Sequence, residues 1–204
     1  MPHVHDLADF VSDAAYDILS EEAQTQLKIR VLDSLGCAIG ALAGTPVRAL
    51  RAHLADFGGA GQATLIGGGR TAPDRAALYN SALVRYLDYN DSYLAKGETG
   101  HPSDNLGSVM AATEYAGGSG RDLLTALAVA YQVQCRLSDE APVRAKGFDH
   151  TVQGQYAAAA GAAKALGLAP EPPANAIAIS GPAHHALRVT RTGDISNSKG
   201  LASP

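Results

Sequence analysis

The sequence predicts an all-α protein, an Ala-rich helical bundle, and three observations support this prediction. About one residue in five is Ala, 22 residues are Gly, and Trp is absent. Apolar residues recur at helical spacing through most of the chain, and the segments between these runs are short. Because Ala has the highest helix propensity and small side chains let helices approach closely, this composition favours packed helices. A chain of 204 residues can bury a sizeable core, and we expect one helical domain over residues 1–204.

Capping residues and apolar periodicity place the expected helices. Ser20, followed by two Glu residues, is typical of a helix start, and apolar residues continue at helical spacing to a predicted end near Gly44. Pro46 and Pro73 are tolerated in the first turns of the next two helices. The helices after the first are expected over residues 45–57, 71–87, 103–117, 123–137, 151–168 and 171–180.

The remaining segments are predicted to be non-helical. Residues 62–66 are the only plausible strand in the first half of the chain and are too short to anchor a sheet. Residues 96–102 and 146–150 are expected to be loops, and the first few residues are expected to be disordered. The tail from residue 184 onwards is polar and has no clear period. Since no closing helix follows it, we expect the chain to be truncated.

Composition argues against two classes of partner. The formal net charge is −4, the pI is near 5.9 and no long basic run occurs, so the electrostatic footprint of a nucleic-acid binder is missing. The most apolar segment, residues 123–131, is too short to cross a bilayer, and no membrane partner is expected. Cys37 and Cys135 lie far apart and are expected to be free, buried thiols. Free thiols are typical of a reducing compartment, and no leader sequence is recognised at the start, so we expect a cytoplasmic protein.

Titratable residues collect in loops that follow apolar helices, and residues 88–105 form the largest such cluster. It contains Asp88, Asn90, Asp91, Ser92, Lys96, Glu98, His101, Ser103, Asp104 and Asn105. One interpretation is a solvated loop in which Ser103 caps a helix. The other is a binding site, because His101 precedes a proline and a helix start, where an imidazole and free backbone N–H groups can face an anion.

Two smaller clusters lie further along the chain. Residues 146–150 end in Asp149 and His150, which fit either a helix cap or a site. The third cluster contains Arg188, Arg191, Asp194, Ser196, Ser198 and Lys199, and a charge run near a terminus is commonly only solvated. No nucleotide-binding or nucleophile signature is found and no His or Cys spacing fits a metal site, so we expect neither a metal nor another cofactor. The residue types suit proton transfer on an anionic substrate.

Four motifs, in this order, closely resemble the MmgE/PrpD family. They are YLDYNDSYLAK at residues 86–96, GHPSDNLG at 100–107, KGFDH at 146–150, and LRVTRTG at 187–193 leading to Lys199. The resemblance runs from about Leu7 to the last residue. The family includes 2-methylcitrate dehydratase and cis-aconitate decarboxylase.

This resemblance implies an architecture. Family members combine a large all-helical domain with a smaller α+β lid domain, often as a homodimer, and their active site lies between the two domains without needing a metal. They are roughly twice the length of this chain. The resemblance therefore implies that the chain is the N-terminal part of the helical domain and that the α+β lid domain is absent from it.

The resemblance also implies roles for particular residues. The catalytic positions are His101, Asp88, Lys199 and His150, and the substrate-binding positions are Ser92, Lys96, Ser103 and Arg188. Removing a proton beside a carboxylate places negative charge on that group, and Lys199 is expected to stabilise the charge. His101, oriented by Asp88, is expected to carry the proton. His150 is expected to assist as a second acid or as a carboxylate ligand.

The form of residues 101–105, His-Pro-Ser-Asp-Asn, resembles the dehydratase branch of the family more than the decarboxylase branch, which lacks the extra residues at 96–100. We therefore expect a metal-independent hydro-lyase that dehydrates 2-methylcitrate or citrate to the cis-aconitate-type product, with a small tricarboxylate as its partner. The alternatives are a cis-aconitate decarboxylase or an epimerase of the same family, or a non-catalytic truncated helical module.

Overall fold

A computed structural model describes residues 3–169, 171–183, 185–191 and 201–202, and these residues are mainly helical, as predicted. The helices are α1 (His3–Asp13), α2 (Glu21–Gly40), α3 (Thr45–Phe57), α4 (Pro73–Tyr86), α5 (Leu106–Tyr115), α6 (Gly120–Glu140), α7 (Thr151–Ala165) and α8 (Glu171–Ala183). Short strands pair into two hairpins, β1 (Ala63–Thr64) with β2 (Arg70–Thr71) and β3 (Tyr93–Ala95) with β4 (Glu98–Gly100). Within these described ranges no helix is long and apolar enough to span a bilayer.

The core lies between α4, α5, α6 and α7. The most extensive helix contact is between α6 and α7, followed by α4 with α5. Small side chains line these contacts, and the following alanines are essentially inaccessible to solvent: Ala82, Ala111, Ala126, Ala130, Ala157 and Ala160. Because these side chains are short, the helix backbones approach closely, as the Ala-rich composition predicts.

Local capping determines where several helices begin. The Ser20 hydroxyl accepts a hydrogen bond from the N–H of Ala23 at 3.1 Å, which confirms the predicted start of α2. At the start of α6, Ser119 and Asp122 form a reciprocal capping box. Helix α2 ends at Gly40, before the predicted end near Gly44, because the chain turns there and Gly44 becomes the residue that precedes α3.

Two of the segments expected to be irregular are ordered differently. From His3 onwards the chain forms helix α1 rather than a disordered segment, because Ala8 and Val11 lie on one face of this helix and are buried. Residues 96–102 were expected to be a loop, but they include β4, which pairs with β3 across a two-residue turn of Lys96 and Gly97. Gly97 has φ of +84°, a conformation that favours glycine.

The predicted capping of α5 by residues 103–105 is wrong. Residues Pro102–Asn105 form a 3-10 turn, and α5 begins at Leu106 without a side-chain cap. The Ser103 hydroxyl instead accepts a hydrogen bond from the Asn90 amide.

The two cysteines are free thiols, as predicted. Cys37 is buried and Cys135 is partly buried. Burial raises the pKa of Cys135 to about 12.

Two glycine substitutions test the close packing of the helices. A Cβ on Gly107, in α5, would lie 2.5 Å from the backbone nitrogen of Ser81 and 2.7 Å from the carbonyl oxygen of Ala77. We expect Gly107→Ala to lower the free energy of unfolding by at least about 2 kcal/mol, because backbone atoms of α4 must move.

Gly36→Ala is the matched control, because nothing lies within 4 Å of its Cβ position in α2. This variant should be more stable than the parent by roughly 0.5–1 kcal/mol, since Ala restricts the unfolded chain. Urea unfolding followed by circular dichroism measures both values. Equal stability of the two variants would contradict the close contact between α4 and α5.

Candidate functional site

A buried guanidinium group organises the polar segment that follows α4. Arg85 is 2% exposed and forms an ion pair with Asp88. Its Nε lies 3.7 Å from Oδ2 of Asp104, and its Nη1 lies 3.5 Å from Oδ1 of Asn90. Because a buried charge is costly unless it is paired, Arg85 holds residues 88–104 against the end of α4.

Asn90 and Asp91 fasten this segment to the rest of the fold. The Asn90 amide donates hydrogen bonds to the Ser103 hydroxyl at 2.8 Å and to Oδ1 of Asp104 at 2.9 Å. Asp91 accepts through Oδ1 from the N–H of Ser103 at 3.0 Å and through Oδ2 from the Tyr131 hydroxyl at 2.7 Å. The segment is therefore tied both to the turn before α5 and to α6.

The ring of His101 has a defined protonation pattern. His101 follows β4, and its Nδ1 lies 2.6 Å from the main-chain oxygen of Asp91. A carbonyl oxygen only accepts hydrogen bonds, so Nδ1 carries a proton and Nε2 is the acceptor of the neutral ring. The hydroxyl of Ser92 lies 3.4 Å from the same Nδ1. The contact at Nδ1 thus comes from the carbonyl of Asp91. The expected orientation of His101 by Asp88 stays a prediction.

The surroundings of His101 favour its neutral form. Burial lowers the pKa of His101 below its usual value, and the positive charge of Arg85 lowers it further. The hydrogen bond to Asp91 and the carboxylates of Asp88 and Asp91 oppose this shift only in part. A neutral imidazole with a free Nε2 is the form that a proton-accepting base needs at neutral pH.

The second predicted imidazole lies beside the first. The ring centroids of His101 and His150 are 5.4 Å apart, and the rings meet edge to face at an angle of 67°. His150 is buried at the start of α7, and its Nδ1 lies 3.2 Å from Oδ1 of Asp149. The other oxygen of Asp149 lies 3.9 Å from Nη1 of Arg188. The fold thus brings two histidines together from segments that are far apart in sequence.

A cavity of about 520 Å³ borders His150, between α4, α5 and α7. Its polar lining includes Asp104, Asn105, Ser108, Gln134, His150, Thr151 and Gln155, and its apolar lining is mostly alanine. The volume is in the range that binds small organic ligands. Among the residues that the structure describes, no group of three or more His, Cys, Asp or Glu side chains is arranged to hold a metal ion.

The other predicted site residues lie in different parts of the fold. Lys96 is exposed in the turn of the β3–β4 hairpin, whereas Ser103 is buried and its hydroxyl is hydrogen-bonded within the fold. Arg188 lies beside the carboxylate of Asp149, the residue that precedes His150. Lys199 lies outside the described residues. The substrate-binding and catalytic roles assigned to all of these residues stay predictions.

Sequence reasoning missed three residues that build the site. Arg85 carries the buried charge, Tyr131 binds the Asp91 carboxylate, and Gln134 accepts a hydrogen bond from the Asn105 amide at 2.6 Å. The sequence contained a signal that could have identified two of these residues. Arg85 and Gln134 are polar residues within largely apolar helical runs, and a buried polar residue needs a partner.

Substitution of Arg85 tests its electrostatic effect on the site. In Arg85→Met the positive charge is removed while the carboxylates of Asp88 and Asp91 remain, so the pKa of His101 should rise. Arg85→Lys keeps the charge and is the matched control, in which the pKa of His101 should stay below its usual value. Titration of the His101 ring signals by NMR measures both, with circular dichroism to verify folding. An unchanged His101 pKa in the folded Met variant would contradict the assigned coupling.

Comparison with known proteins agrees with the family that these motifs resemble. The chain is 31% identical over 204 residues to the 2-methylcitrate dehydratase of Escherichia coli (strain K12), which covers 91% of this chain and 40% of that protein. It is 31% identical over 193 residues to the mitochondrial 2-methylcitrate dehydratase of Yarrowia lipolytica, covering 85% of this chain and 35% of the relative. The 2-methylcitrate dehydratase-like protein oryR of Aspergillus oryzae is 29% identical over 213 residues, or 93% of this chain and 42% of the relative.

The chain thus spans about two fifths of the length of the curated relatives that it matches. The family model described as the MmgE/PrpD N-terminal domain matches residues 5–204. The chain therefore belongs to the MmgE/PrpD family, and the matched residues correspond to the N-terminal domain of that family.

Proposed function

We propose that this chain contributes His101 and His150 to the active site of a hydro-lyase that dehydrates 2-methylcitrate or citrate to the cis-aconitate-type product without a metal ion. One observation carries the proposal: the ring of His101, whose Nδ1 faces the main-chain oxygen of Asp91, lies 5.4 Å, between ring centroids, from a second imidazole. The relatives named 2-methylcitrate dehydratase support the choice of reaction.

The proposed chemistry needs one base and one acid. Nε2 of His101 removes the proton from the carbon beside a carboxylate, and the electron pair of that C–H bond forms the new carbon–carbon double bond. The hydroxyl on the neighbouring carbon departs and takes up a proton, so that the products are the unsaturated tricarboxylate and water. His150 is proposed to deliver that proton, with the Ser92 hydroxyl beside His101 as a further hydrogen-bonding group.

The substrate's carboxylates need positive charges beyond those in the described network. Asp88 and Asp104 place two carboxylates at the guanidinium of Arg85, so Arg85 has no positive charge to spare for an anion. We propose that Arg188, Lys96 and Lys199 bind the substrate's carboxylates and stabilise the charge that develops as the proton leaves.

The proposed reaction is tested with the intact protein that carries this chain. Incubation with 2-methylcitrate, and separately with citrate, should produce an unsaturated tricarboxylate, which is followed by its ultraviolet absorbance and identified by mass spectrometry. Release of CO₂ from cis-aconitate would favour the decarboxylase alternative. Absence of any product from all of these tricarboxylates would overturn the proposal and favour the non-catalytic module.

The role of His101 as base is tested by substitution. We expect His101→Ala in the intact enzyme to lower kcat by about 10²–10⁴-fold, because that is the usual contribution of one general base. His53→Ala is the matched control, since His53 is an exposed histidine in α3 and should not affect turnover. Stopped assays of product formation measure both, and thermal unfolding verifies that each variant is folded. Near-normal turnover by His101→Ala would remove His101 from the mechanism.

Three further features belong to the same proposal. The described helices are proposed to form one domain, which the α+β lid of the family would cover. A homodimer and a cytoplasmic location are also proposed, as expected from the resemblance and from the free thiols. Sedimentation analysis of the intact protein and its localisation by fluorescence tag test these two features.

A further inference from the structure

A buried carboxylate outside the Arg85 network joins the two segments that carry the histidines. The side chain of Glu98, in β4, is 0% exposed. Its Oε2 accepts hydrogen bonds from the N–H of Val143 at 3.1 Å and the N–H of Arg144 at 3.0 Å. Its Oε1 lies 3.3 Å from Nε of Arg144. A buried carboxylate is retained only when such donors satisfy it, so these contacts define its position closely.

The two segments are distant in sequence but each leads directly to a histidine. Glu98 precedes His101 at the end of the β3–β4 hairpin, whereas Val143 and Arg144 lie in the segment between the end of α6 and His150. The hydrogen bonds that Glu98 accepts span 45 and 46 residues of chain. A displacement of either segment would therefore change the separation of the two rings.

We propose that Glu98 is a positioning residue that sets the separation and relative orientation of the His101 and His150 rings. The inference rests on the proposed function, in which both imidazoles act on one substrate. Proton transfer depends steeply on geometry, and misplacement of a reacting group by about 1 Å can cost roughly 10²-fold in rate. Glu98 itself acts through the backbone of the 143–144 segment.

Other contacts hold the same two segments in place, so loss of Glu98 should loosen the geometry without unfolding the chain. The Gln153 amide donates to the carbonyl oxygen of Ala141 at 3.3 Å, and the N–H of Asp149 donates to the carbonyl oxygen of Ala186 at 2.9 Å. The hairpin is also held by the hydroxyl of Tyr93, which donates to Oδ2 of Asp139 at 2.7 Å.

This last contact provides a matched control. Tyr93→Phe removes one hydrogen bond that anchors the hairpin but leaves the Glu98 contacts intact. Glu98→Gln removes the negative charge and replaces one acceptor oxygen with an NH₂ group. That group must face either the backbone N–H donors of Val143 and Arg144 or the Nε–H of Arg144, so part of the link is lost in either orientation. The two variants therefore separate a general weakening of the hairpin from a loss of the link to the 143–144 segment.

The first measurement needs no substrate. In the chain with isotope-labelled histidine, the edge-to-face rings of His101 and His150 should give a nuclear Overhauser effect between their ring hydrogens. We expect this signal to keep its intensity in Tyr93→Phe and to fall at least about twofold in Glu98→Gln, because the ring separation changes. A wild-type signal intensity in folded Glu98→Gln would overturn the proposal.

The second measurement uses the intact enzyme and its tricarboxylate. Glu98→Gln should lower kcat by about tenfold or more with little change in KM, because the alignment of the proton-transfer groups matters mainly in the transition state. Tyr93→Phe should turn over normally. If the wild type converts no tricarboxylate, the proposed function fails, whereas the ring-to-ring signal still decides the positioning role.

A conservative variant covers the case in which Glu98→Gln does not fold. Glu98→Asp keeps the charge and shortens the side chain by one methylene, so it should retain part of the hydrogen bonding. Its kcat and its ring-to-ring signal are expected to lie between those of the wild type and those of Glu98→Gln. A folded Glu98→Asp with a full wild-type signal and with lowered kcat would show that Glu98 acts in some other way, and would overturn the proposal.

Discussion

The candidate site depends on the pairing of one buried guanidinium group. Arg85 lies at the end of α4 in the core, where an unpaired charge would be strongly unfavourable. Its pairing with Asp88 and Asp104, and its contact with Asn90, oblige the polar segment after α4 to fold back over the helix end. The ordered segment then presents the carbonyl of Asp91 to His101. A structural interaction in the core thereby determines the protonation pattern of the proposed base.

The long helix α6 connects the parts of the site. Tyr131, near its middle, binds the Asp91 carboxylate, and Gln134 binds Asn105. These contacts lie along one helix, and one face of that helix packs in the core. The site is therefore supported by the most extensive helix contact among the described residues, α6 with α7, which suits a reaction in which two imidazoles must keep a fixed separation.

Some features were predictable because they depend on local interactions. Ser20 at the start of α2 and Pro46 in the first turn of α3 act within a few residues of themselves, so their types alone indicate the helix starts. The β3–β4 hairpin was missed because strands of three residues carry no periodic signal. The capping of α5 by Ser103 was wrong because a residue far from that helix in sequence, Asn90, takes up the Ser103 hydroxyl.

The sequence by itself determined the helical class and the family, and it predicted the two histidines of the candidate site, because composition, periodicity and short motifs are properties of neighbouring residues. Only the tertiary structure decided that His101 and His150 meet edge to face, that the carbonyl of Asp91 supplies the acceptor at Nδ1, and that Arg85 and Glu98 are paired beside the segments that carry them. These pairings join residues across turns and across the whole of α6. The packing of the helices and the need to satisfy buried polar groups determine which residues pair. Both depend on contacts between distant segments, so the local sequence pattern does not predict them.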